Sequence, residues 1–379
     1  MKKLAIIGAS DLQEPLIEKA GQMGIQTHVF AWEQGSMGKK KADFFYPVSI
    51  VEKCTILEIC RKIGIDGVCS IASDLAVLTV NYIADQMGLT GNSLRCTALS
   101  TNKQMMRERF AKMGVPSPKS MCVENLCEAR MQQLSYPIIV KPVDRSGSRG
   151  VTMLIQKDGL EQAVNRALHE GFAKKVLIEE YAKGQEYSAE CMSWKGKHIF
   201  LALTKKYTSG RPHFIETAHL EPVKIETELL DRVKRTVYHA LDSLEIQNGA
   251  SHTEFKIDAM GNIKLIEIGG RMGGDFIGSD LVRISTGIDY VRAVIQVALG
   301  EEPDLSRDGM CACAAVRYVL DQKDLEALQQ VKREHPEYVI RESVHKAVER
   351  KVSDSANRHG YYMLRADNVH ALDRYMPKP

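Results

Sequence analysis

Short apolar segments alternate with amphipathic segments over the first ninety residues of the chain. Three segments are the continuous apolar runs that buried strands show: KLAIIGAS (3–10), IQTHVFAW (25–32) and IDGVCSIAS (65–73). Three others place apolar residues at helical spacing: EPLIEKAGQMG (14–24), TILEICRKIG (55–64) and AVLTVNYIADQMG (76–88). Strands that alternate with helices predict a parallel, doubly wound α/β sheet.

Asp74 follows the third predicted strand, and ligands of a doubly wound sheet bind at the carboxyl ends of its strands. It is therefore a candidate contact for the amine of a substrate. Capping of the next helix by Ser73 or Asp74 explains the same residues without a ligand. The segment GASD (8–11) after the first strand lacks the three-glycine dinucleotide fingerprint, which argues against NAD binding.

Turn-rich stretches divide the rest of the chain. TGNSLRC (90–96) and GVPSPKS (114–120) are breaks that flank one predicted helix over 101–113, which begins near Ser100 and carries Lys103 in its first turn. An α+β segment follows, then a larger antiparallel segment that ends in the helix IDYVRAVIQVALG, and finally a unit with strands such as CACAAVRYVL and HGYYMLRA. We predict four units: 1–97, 98–185, 186–300 and 301–379.

Composition and charge narrow the class of protein. The 379 residues are 44% hydrophobic and 26% charged, which is ordinary for a soluble globular protein, and a net charge of +3 is too small to predict nucleic-acid binding. The nine cysteines follow neither a zinc nor a disulfide spacing, which indicates free thiols and a reducing cytoplasm. MKKLAIIGAS begins like a signal peptide, but Asp11 and Glu14 end its apolar run early, and no segment predicts a membrane span.

A lysine on an apolar strand precedes a glycine-rich loop in YPIIVKPVDRSGSRGV (136–151). Glycine lets the backbone take φ > 0 and approach a ligand closely, so the N–H groups of a loop around Ser146, Gly147 and Ser148 can converge on an anion. Lys141 adds a point charge suited to phosphate. An exposed hairpin loop with a basic tip is the alternative interpretation.

The stretch HTEFKIDAMGNIKLIEIGGRMGGD (252–275) predicts a β-hairpin with its turn at 259–262. The predicted cross-strand pairs are Thr253 with Ile268, Glu254 with Glu267, and Phe255 with Ile266. Like charges directly opposite each other are destabilising, and a one-residue slip would send the apolar set to the wrong face. Two apposed carboxylates suit Mg²⁺ bound to nucleotide phosphates, whereas two solvated glutamates on an exposed hairpin are the alternative.

Arg271 lies four residues after Glu267 among several glycines. An arginine beside a metal pair can bind a transferring phosphoryl group and neutralise its developing charge. The chain contains neither a Walker-type phosphate loop nor the protein-kinase motifs. Nucleotide, if bound, is therefore held in another way.

The order of these parts resembles the ATP-grasp superfamily over nearly the whole chain. The resemblance implies an α/β and α+β fold with an N-terminal doubly wound pre-ATP-grasp domain, a small lid domain and an antiparallel domain that carries metal carboxylates. Lys103 in TNKQMMRERF and Lys141 in IIVKP resemble the phosphate-contacting lysines, and SGSRG resembles the lid loop over the β- and γ-phosphates. Many members have Asp where this chain has Asn102.

The segment VLIEEYAKGQEYSAE resembles the hinge of the superfamily, although a plain strand–turn–strand is the alternative. The resemblance implies that Glu179 and the backbone of Tyr181 and Ala182 contact adenine and that Glu186 holds the ribose. The implied ATP contacts are Lys103, Lys141, Ser146, Gly147, Ser148, Glu179, Tyr181, Ala182 and Glu186.

Glu254 and Glu267 match the superfamily's magnesium ligands, with Mn²⁺ as an alternative ion, and Arg271 matches its phosphate-binding arginine. Many members have Asn two positions after the second glutamate, where this chain has Gly269. A third protein ligand is therefore left open.

GGRMGGDFIGSDLVRISTGID and FIETAHLEP are most similar to the L-amino-acid ligases of the bacilysin-synthetase type. This likeness implies that His219 and Gly274 line the substrate site beside Arg271 and that Asp74 meets the amine of the first substrate. His219 as an ordinary loop histidine is the alternative. From its location in YTSGRPHF, Arg211 is expected to contact a substrate carboxylate.

The resemblance implies an ATP- and magnesium-dependent ligase that joins a small-molecule carboxylate to an amine, with amino acids as the expected substrates, through an acyl phosphate. A homodimer is one candidate assembly, and the sequence leaves the oligomeric state open. The alternatives are a purine-pathway ligase acting on a phosphoribosyl amine and an ATP-binding module without turnover. The first needs an additional phosphate cradle, and the second would not need the two glutamates and Arg271 together.

Overall fold

The apolar runs of the first ninety residues form a parallel sheet in the computed structural model, which describes residues 1–131, 133–309, 311–344 and 352–378. Its strands are β1 (Lys3–Ile7), β2 (Gln26–Phe30), β3 (Phe44–Tyr46) and β4 (Gly67–Cys69), in the order β3-β2-β1-β4. Its helices are α1 (Glu14–Gln22), α2 (Lys53–Ile63) and α3 (Asp74–Met87). All six predicted elements are present. The additional strand β3 has three residues, too few to show a pattern.

Two helices occupy the region in which the sequence predicted one: α4 (Leu94–Thr101) and α5 (Lys103–Met113). The break predicted over 90–96 is therefore wrong from Leu94 onward. The side chain of Ser93 accepts the N–H of Cys96 and so caps α4, while Asn102 accepts the N–H groups of Gln104 and Met105 and caps α5. This second cap places Lys103 at the first position of α5.

A four-stranded antiparallel sheet follows, with the order β5-β8-β6-β7. Its strands are β5 (Ser120–Val123), β6 (Ile138–Pro142), β7 (Thr152–Leu154) and β8 (Val176–Glu180), and its helices are α6 (Leu126–Arg130) and α7 (Leu160–Glu170). Apolar side chains of β6, β8 and α7 form its buried core. Strand β6 ends at Pro142, one residue after Lys141, so the glycine-rich loop follows this lysine closely.

An eight-stranded antiparallel sheet forms most of the remainder, in the order β13-β12-β9-β10-β11-β14-β16-β15. Its strands are β9 (Gln185–Trp194), β10 (Lys197–Thr208), β11 (Glu216–Glu221), β12 (Gly249–Ile257), β13 (Ile263–Gly269), β14 (Cys313–Tyr318), β15 (Val339–Val344) and β16 (Gly360–Ala366). The accompanying helices are α8 (Thr227–Ser243), α9 (Val282–Thr286), α10 (Tyr290–Ala298), α11 (Gln322–Glu334) and α12 (Val369–Asp373). The four-unit division stays a prediction, and the sheet itself continues across 300/301 because β14 pairs with β11.

The hairpin of β12 and β13 has the predicted register near its open end. Glu254 lies opposite Glu267 and Thr253 lies opposite Ile268. A β-bulge shifts the next pair, so Phe255 lies opposite Leu265, and the predicted pairing of Phe255 with Ile266 is wrong. The bulge keeps Phe255 and Leu265 together in the buried core while the glutamates stay apposed.

Helix α10 joins the N-terminal sheet to the large sheet. Residues of β1, β9 and α10 lie in one buried apolar cluster, among them Leu4, Met192 and Val294. The N-terminal sheet is therefore packed against the part of the molecule that carries the hairpin. Within the described ranges, no helix is long and apolar enough to cross a membrane.

Candidate active site

A cavity of about 670 Å³ lies among the small sheet, the large sheet and the N-terminal sheet. It collects residues that the sequence singled out from distant segments. The predicted residues that line it are Lys103, Lys141, Ser146, Gly147, Ser148, Glu179, Tyr181, Ala182, Glu186, His219, Glu254, Glu267, Arg271 and Gly274. Asp74 is not among the lining residues, but it binds Arg271, which is. Arg211 is exposed and is not among the lining residues.

The glycine-rich loop after β6 has the backbone conformation that its sequence predicts. Gly147, Ser148 and Gly150 all have positive φ, at 67°, 58° and 72°. The hydroxyl of Ser148 donates to the carbonyl of Phe214 at 3.0 Å, and Nζ of Lys103 donates to the carbonyl of Arg145 at 2.8 Å. The loop therefore lies over the cavity with a lysine beneath it.

Lys141 and Glu179 form a buried ion pair that the sequence did not predict. Nζ of Lys141 donates to Glu179, and Nε of Arg107 donates to the other carboxylate oxygen at 3.1 Å. Burial opposes ionisation of Glu179, but Arg107 and Lys141 outweigh it and lower the pKa of the carboxyl. Glu179, the predicted adenine contact, is therefore an ionised carboxylate whose negative charge is balanced by Arg107 and Lys141. Arg107 lies one helical turn after Lys103, a spacing that could have revealed it.

Each of the apposed glutamates has its own lysine. Nζ of Lys206 donates to Glu254, and Nζ of Lys103 donates to Glu267. Burial raises the pKa of Glu254, but Lys206 and His252 lower it well below its usual value. Lys206 and His252 therefore favour the ionised form of Glu254 even though Glu267 lies opposite it.

Lys206 lies at the centre of a cluster of carboxylates. Besides Glu254, its Nζ lies 3.6 Å from Glu186 and 3.6 Å from Glu216. Glu186, the predicted ribose contact, also lies 3.5 Å from Nζ of Lys256. The sequence analysis did not predict Lys206, although its sequence signal is the same as that of Lys141, a lysine on an apolar strand.

The described residues contain no group of three or more His, Cys, Asp or Glu side chains placed to hold a metal ion. The two glutamates supply the hard oxygen donors that Mg²⁺ prefers, and both line the cavity. The donor set therefore fits a magnesium ion whose remaining ligands are phosphate oxygens and water. Gly269 cannot be replaced by a larger ligand without movement, since a Cβ there would lie 2.8 Å from Oδ1 of Asp74.

Asp74 and Arg271, predicted for separate roles, bind each other. Nε and Nη2 of Arg271 donate to the two oxygens of Asp74 at 2.8 and 2.9 Å. Ser73 caps α3 by accepting the N–H of Ala76 at 3.2 Å, which leaves the Asp74 carboxylate for the arginine. Burial opposes ionisation of Asp74, but Arg271 lowers its pKa.

A second arginine–carboxylate pair lies beside His219. Arg358 donates to both oxygens of Asp275 at 2.7 Å, and its guanidinium lies 3.6 Å from the centre of the Tyr318 ring. Nε2 of His219 lies 3.5 Å from Asp275, while burial lowers the pKa of the imidazole. The sequence analysis missed Asp275, which follows Gly274 directly, and Arg358, for which no local signal exists.

An aromatic pair and a lysine form the wall near the predicted adenine region. The rings of Tyr181 and Phe214 stack at 5.8 Å, and Nζ of Lys256 lies 4.6 Å from the centre of the Tyr181 ring. Phe214 follows Arg211 by three residues in the loop before β11. This loop therefore contributes an aromatic side chain to the cavity, and its arginine points elsewhere.

The segment that carries most of these residues matches a known protein family. The family model of the ATP-grasp domain matches residues 134–280, which include the glycine-rich loop, both glutamates and Arg271. Residues 134–280 are therefore similar to the ATP-grasp domain. The resemblance to this superfamily and the fold class expected from the sequence are thereby confirmed.

The chain is also similar to several ligases. It is 25% identical over 313 residues to alanine–anticapsin ligase of Bacillus subtilis, a match covering 72% of this chain and 64% of that ligase. The solved L-amino acid ligase of Bacillus licheniformis shares its fold, with a TM-score of 0.83 and 22% identity over 99% of this chain and 96% of that one. The ADP complex of an N5-carboxyaminoimidazole ribonucleotide synthetase has a TM-score of 0.78 and 16% identity, covering 99% and 95%.

Proposed function

We propose that this protein is an ATP- and magnesium-dependent ligase that joins a small-molecule carboxylate to an amine through an acyl phosphate. The observation that carries the proposal is the convergence of two lysines, a positive-φ loop, two apposed glutamates and one oriented arginine on a single cavity. These are the groups that phosphoryl transfer to a carboxylate requires, because its transition state is stabilised mainly by positioning and charge.

Each group has a definite part in this proposal. Lys103 and Lys141 neutralise phosphate charge, and the loop around Gly147 covers the phosphates and excludes the water that would hydrolyse an acyl phosphate. Glu254 and Glu267 would hold Mg²⁺, or Mn²⁺ as the alternative ion. When bound, the ion would align the terminal phosphoryl group and offset its negative charge.

Arg271 stabilises the charge that develops on the transferring group. Asp74 holds its Nε and Nη2 groups, and Nη1 donates to the carbonyl of Met272 at 3.3 Å. Two of the five guanidinium N–H groups therefore remain for the cavity. We assign Asp74 the task of orienting Arg271, in place of the direct amine contact expected from the sequence.

We infer that the substrates are amino acids. The similarity to alanine–anticapsin ligase and to the L-amino acid ligase supports this assignment, and His219, Arg271 and Gly274 all line the cavity. The fold shared with N5-carboxyaminoimidazole ribonucleotide synthetase keeps a purine-pathway ligase as the second candidate. We further propose a cytoplasmic homodimer.

Release of ADP from ATP tests these assignments. The purified chain is incubated with ATP, Mg²⁺ and amino acids in pairs, and each product is identified by mass spectrometry. We expect ADP release and a dipeptide mass only when both amino acids are present. ADP release with a phosphoribosyl amine and a carboxylate partner such as glycine or bicarbonate, but not with pairs of amino acids, would favour the purine-pathway candidate. ATP binding without ADP release would favour a non-catalytic module.

A further inference from the structure

Glu190 and His252 form a buried ion pair at the cavity wall. They lie directly opposite each other on β9 and β12, and Glu190 has no solvent exposure. Nδ1 of His252 contacts Oε1 of Glu190, and Nε2 of His252 lies 3.2 Å from Oε1 of Glu254. Carboxylate oxygens accept hydrogen bonds, so both ring nitrogens must donate. The imidazole therefore holds the Glu254 carboxylate from one side.

The second oxygen of Glu190 holds the loop that carries Arg271. Oε2 of Glu190 accepts the N–H of Gly273 at 2.8 Å. A Cβ at residue 273 would lie 2.7 Å from Oε1 of Glu190 and 2.9 Å from Nδ1 of His252. Only glycine lets this loop approach the pair so closely. The buried carboxylate of Glu190 therefore contacts the Arg271 loop directly and the Glu254 carboxylate through His252. Both belong to the proposed phosphoryl-transfer site.

We propose that Glu190 and His252 are positioning residues that fix the Glu254 carboxylate and the Arg271 loop in one geometry. This inference rests on the proposed function, in which Glu254 is a metal ligand. A side chain that orients a metal-binding carboxylate typically accounts for about 10- to 100-fold in metal affinity. A pair that only stabilised the sheet would leave metal affinity unchanged.

The same sheet contains a matched control. His198 on β10 also bridges two partners, Ser193 at 2.8 Å and Asp242 at 3.1 Å, and it is not among the cavity-lining residues. Its side chain is 4% exposed, close to the 6% of His252. Replacement of either histidine thus removes a buried two-partner contact, but only one of them contacts Glu254.

The test measures Mn²⁺ binding to the full chain in the presence of ADP by electron paramagnetic resonance. The variants are Glu254→Gln, His252→Gln, Glu190→Gln and the control His198→Gln. We expect Glu254→Gln to lose most binding, His252→Gln and Glu190→Gln to weaken it about 10- to 100-fold, and His198→Gln to bind like the wild type. Combining the Glu190 and His252 changes should weaken affinity by less than the product of the single effects, because both act through one contact.

The outcomes separate this inference from the proposed function. Loss of binding in Glu254→Gln with wild-type affinity in both His252→Gln and Glu190→Gln overturns the positioning role and leaves the metal ligand in place. An equal loss in His198→Gln also overturns it, since the effect would then follow general destabilisation. Wild-type affinity in Glu254→Gln overturns both proposals. If His252→Gln fails to fold, Glu190→Gln, which keeps the side-chain shape, decides the question.

Discussion

Asp74 and Arg271 form a bidentate ion pair although 197 positions separate them in the chain. Asp74 begins the helix after β4 of the N-terminal sheet, and Arg271 follows the hairpin of β12 and β13. The N-terminal sheet therefore takes part in the site through one carboxylate. A planar guanidinium held by two oxygens keeps a single orientation, which a lysine in its place could not keep.

Replacing Asp74 with Asn should lower kcat by at least about tenfold while leaving the KM for ATP nearly unchanged. The amide accepts only one of the two arginine hydrogen bonds, so Arg271 loses its orientation, and unfolding should become easier by about 1–3 kcal/mol. Steady-state kinetics and thermal melts measure both effects. Asp85→Asn, on an exposed turn of the same helix, is the control. A rise confined to the KM of the amine substrate would instead restore the amine-binding role.

Gly269→Ala should reduce turnover strongly, whereas Gly270→Ala should not. A Cβ at 269 would lie 2.8 Å from Oδ1 of Asp74 and 3.1 Å from Cζ of Arg271, but a Cβ at 270 meets nothing closer than 3.4 Å. The first change displaces the ion pair, and the second makes an ordinary van der Waals contact. ADP release by the two variants provides the measurement. Equal activity in both would show that the position of the pair is unimportant for turnover.

Glu267→Gln should lower both activity and the stability of the metal-free protein. The neutral amide leaves Lys103, whose side chain is 7% exposed, without its anionic partner, which costs about 1–3 kcal/mol. If repulsion between Glu254 and Glu267 were the larger effect, the variant would instead be more stable. Melts in the presence of a chelator distinguish the two. A higher melting temperature for Glu267→Gln would mean that the carboxylates repel each other despite their lysines.

Lys141→Ala should raise the KM for ATP and should also lower the melting temperature. The side chain lines the cavity, and its removal leaves the fully buried Glu179 with Arg107 as its remaining cation. Lys157→Ala, an exposed position in the same small sheet region, is the control and should change neither quantity. Unchanged ATP kinetics in Lys141→Ala would contradict the proposal that this strand and its loop bind the nucleotide.

Glu221 should make stability fall as pH rises. Burial raises the pKa of this carboxyl from 4.5 to about 7, although hydroxyls of Ser285 and Thr204 donate to it. Between these values the folded state binds more protons than the unfolded state, so stability present below about pH 4.5 is lost as pH rises through about 7. The loss amounts to about 3 kcal/mol.

Melts at pH 5 and pH 7 test this sign. The difference between the two pH values should shrink in Glu221→Gln, which keeps the shape of the side chain and cannot ionise. The control Glu228→Gln, at an exposed position of α8, should retain the full difference. An unchanged pH dependence in Glu221→Gln would show that other groups cause it.

Local patterns were sufficient for six elements of the N-terminal sheet and for the hairpin that carries the two glutamates, but not for β3 or α4. Strand and helix periodicities are short-range properties, and side chains alternate along a strand, so the apolar face of the hairpin predicts which residues lie opposite each other. Glu254 and Glu267 are paired as expected. The bulge that places Phe255 opposite Leu265 was not predictable. Side chains alternate before and after a bulge as they do in a regular strand, so the pattern does not show where the extra residue is inserted.

The N-caps of α4 and α5 are a second feature that local sequence patterns did not predict. Ser93 and Asn102 each cap a helix, although the sequence predicted a break over 90–96 and a single helix over 101–113. Both are residue types that favour either a turn or a helix start. Which role they take depends on whether the apolar side chains that follow them in the chain pack into a buried core. The packing of Cys96 and Leu99 in the core of the large sheet decides this for α4.

The chain's sequence by itself therefore determined the order of strands and helices, the cavity's main residues and the apposition of two carboxylates. Only the tertiary structure decided which charges neutralise one another. Asp74 binds Arg271 and Arg358 binds Asp275 across long separations in the chain. Long polar side chains can reach several partners, and burial makes an unpaired charge costly, so the partner is selected by the three-dimensional packing and leaves no periodic trace in the sequence.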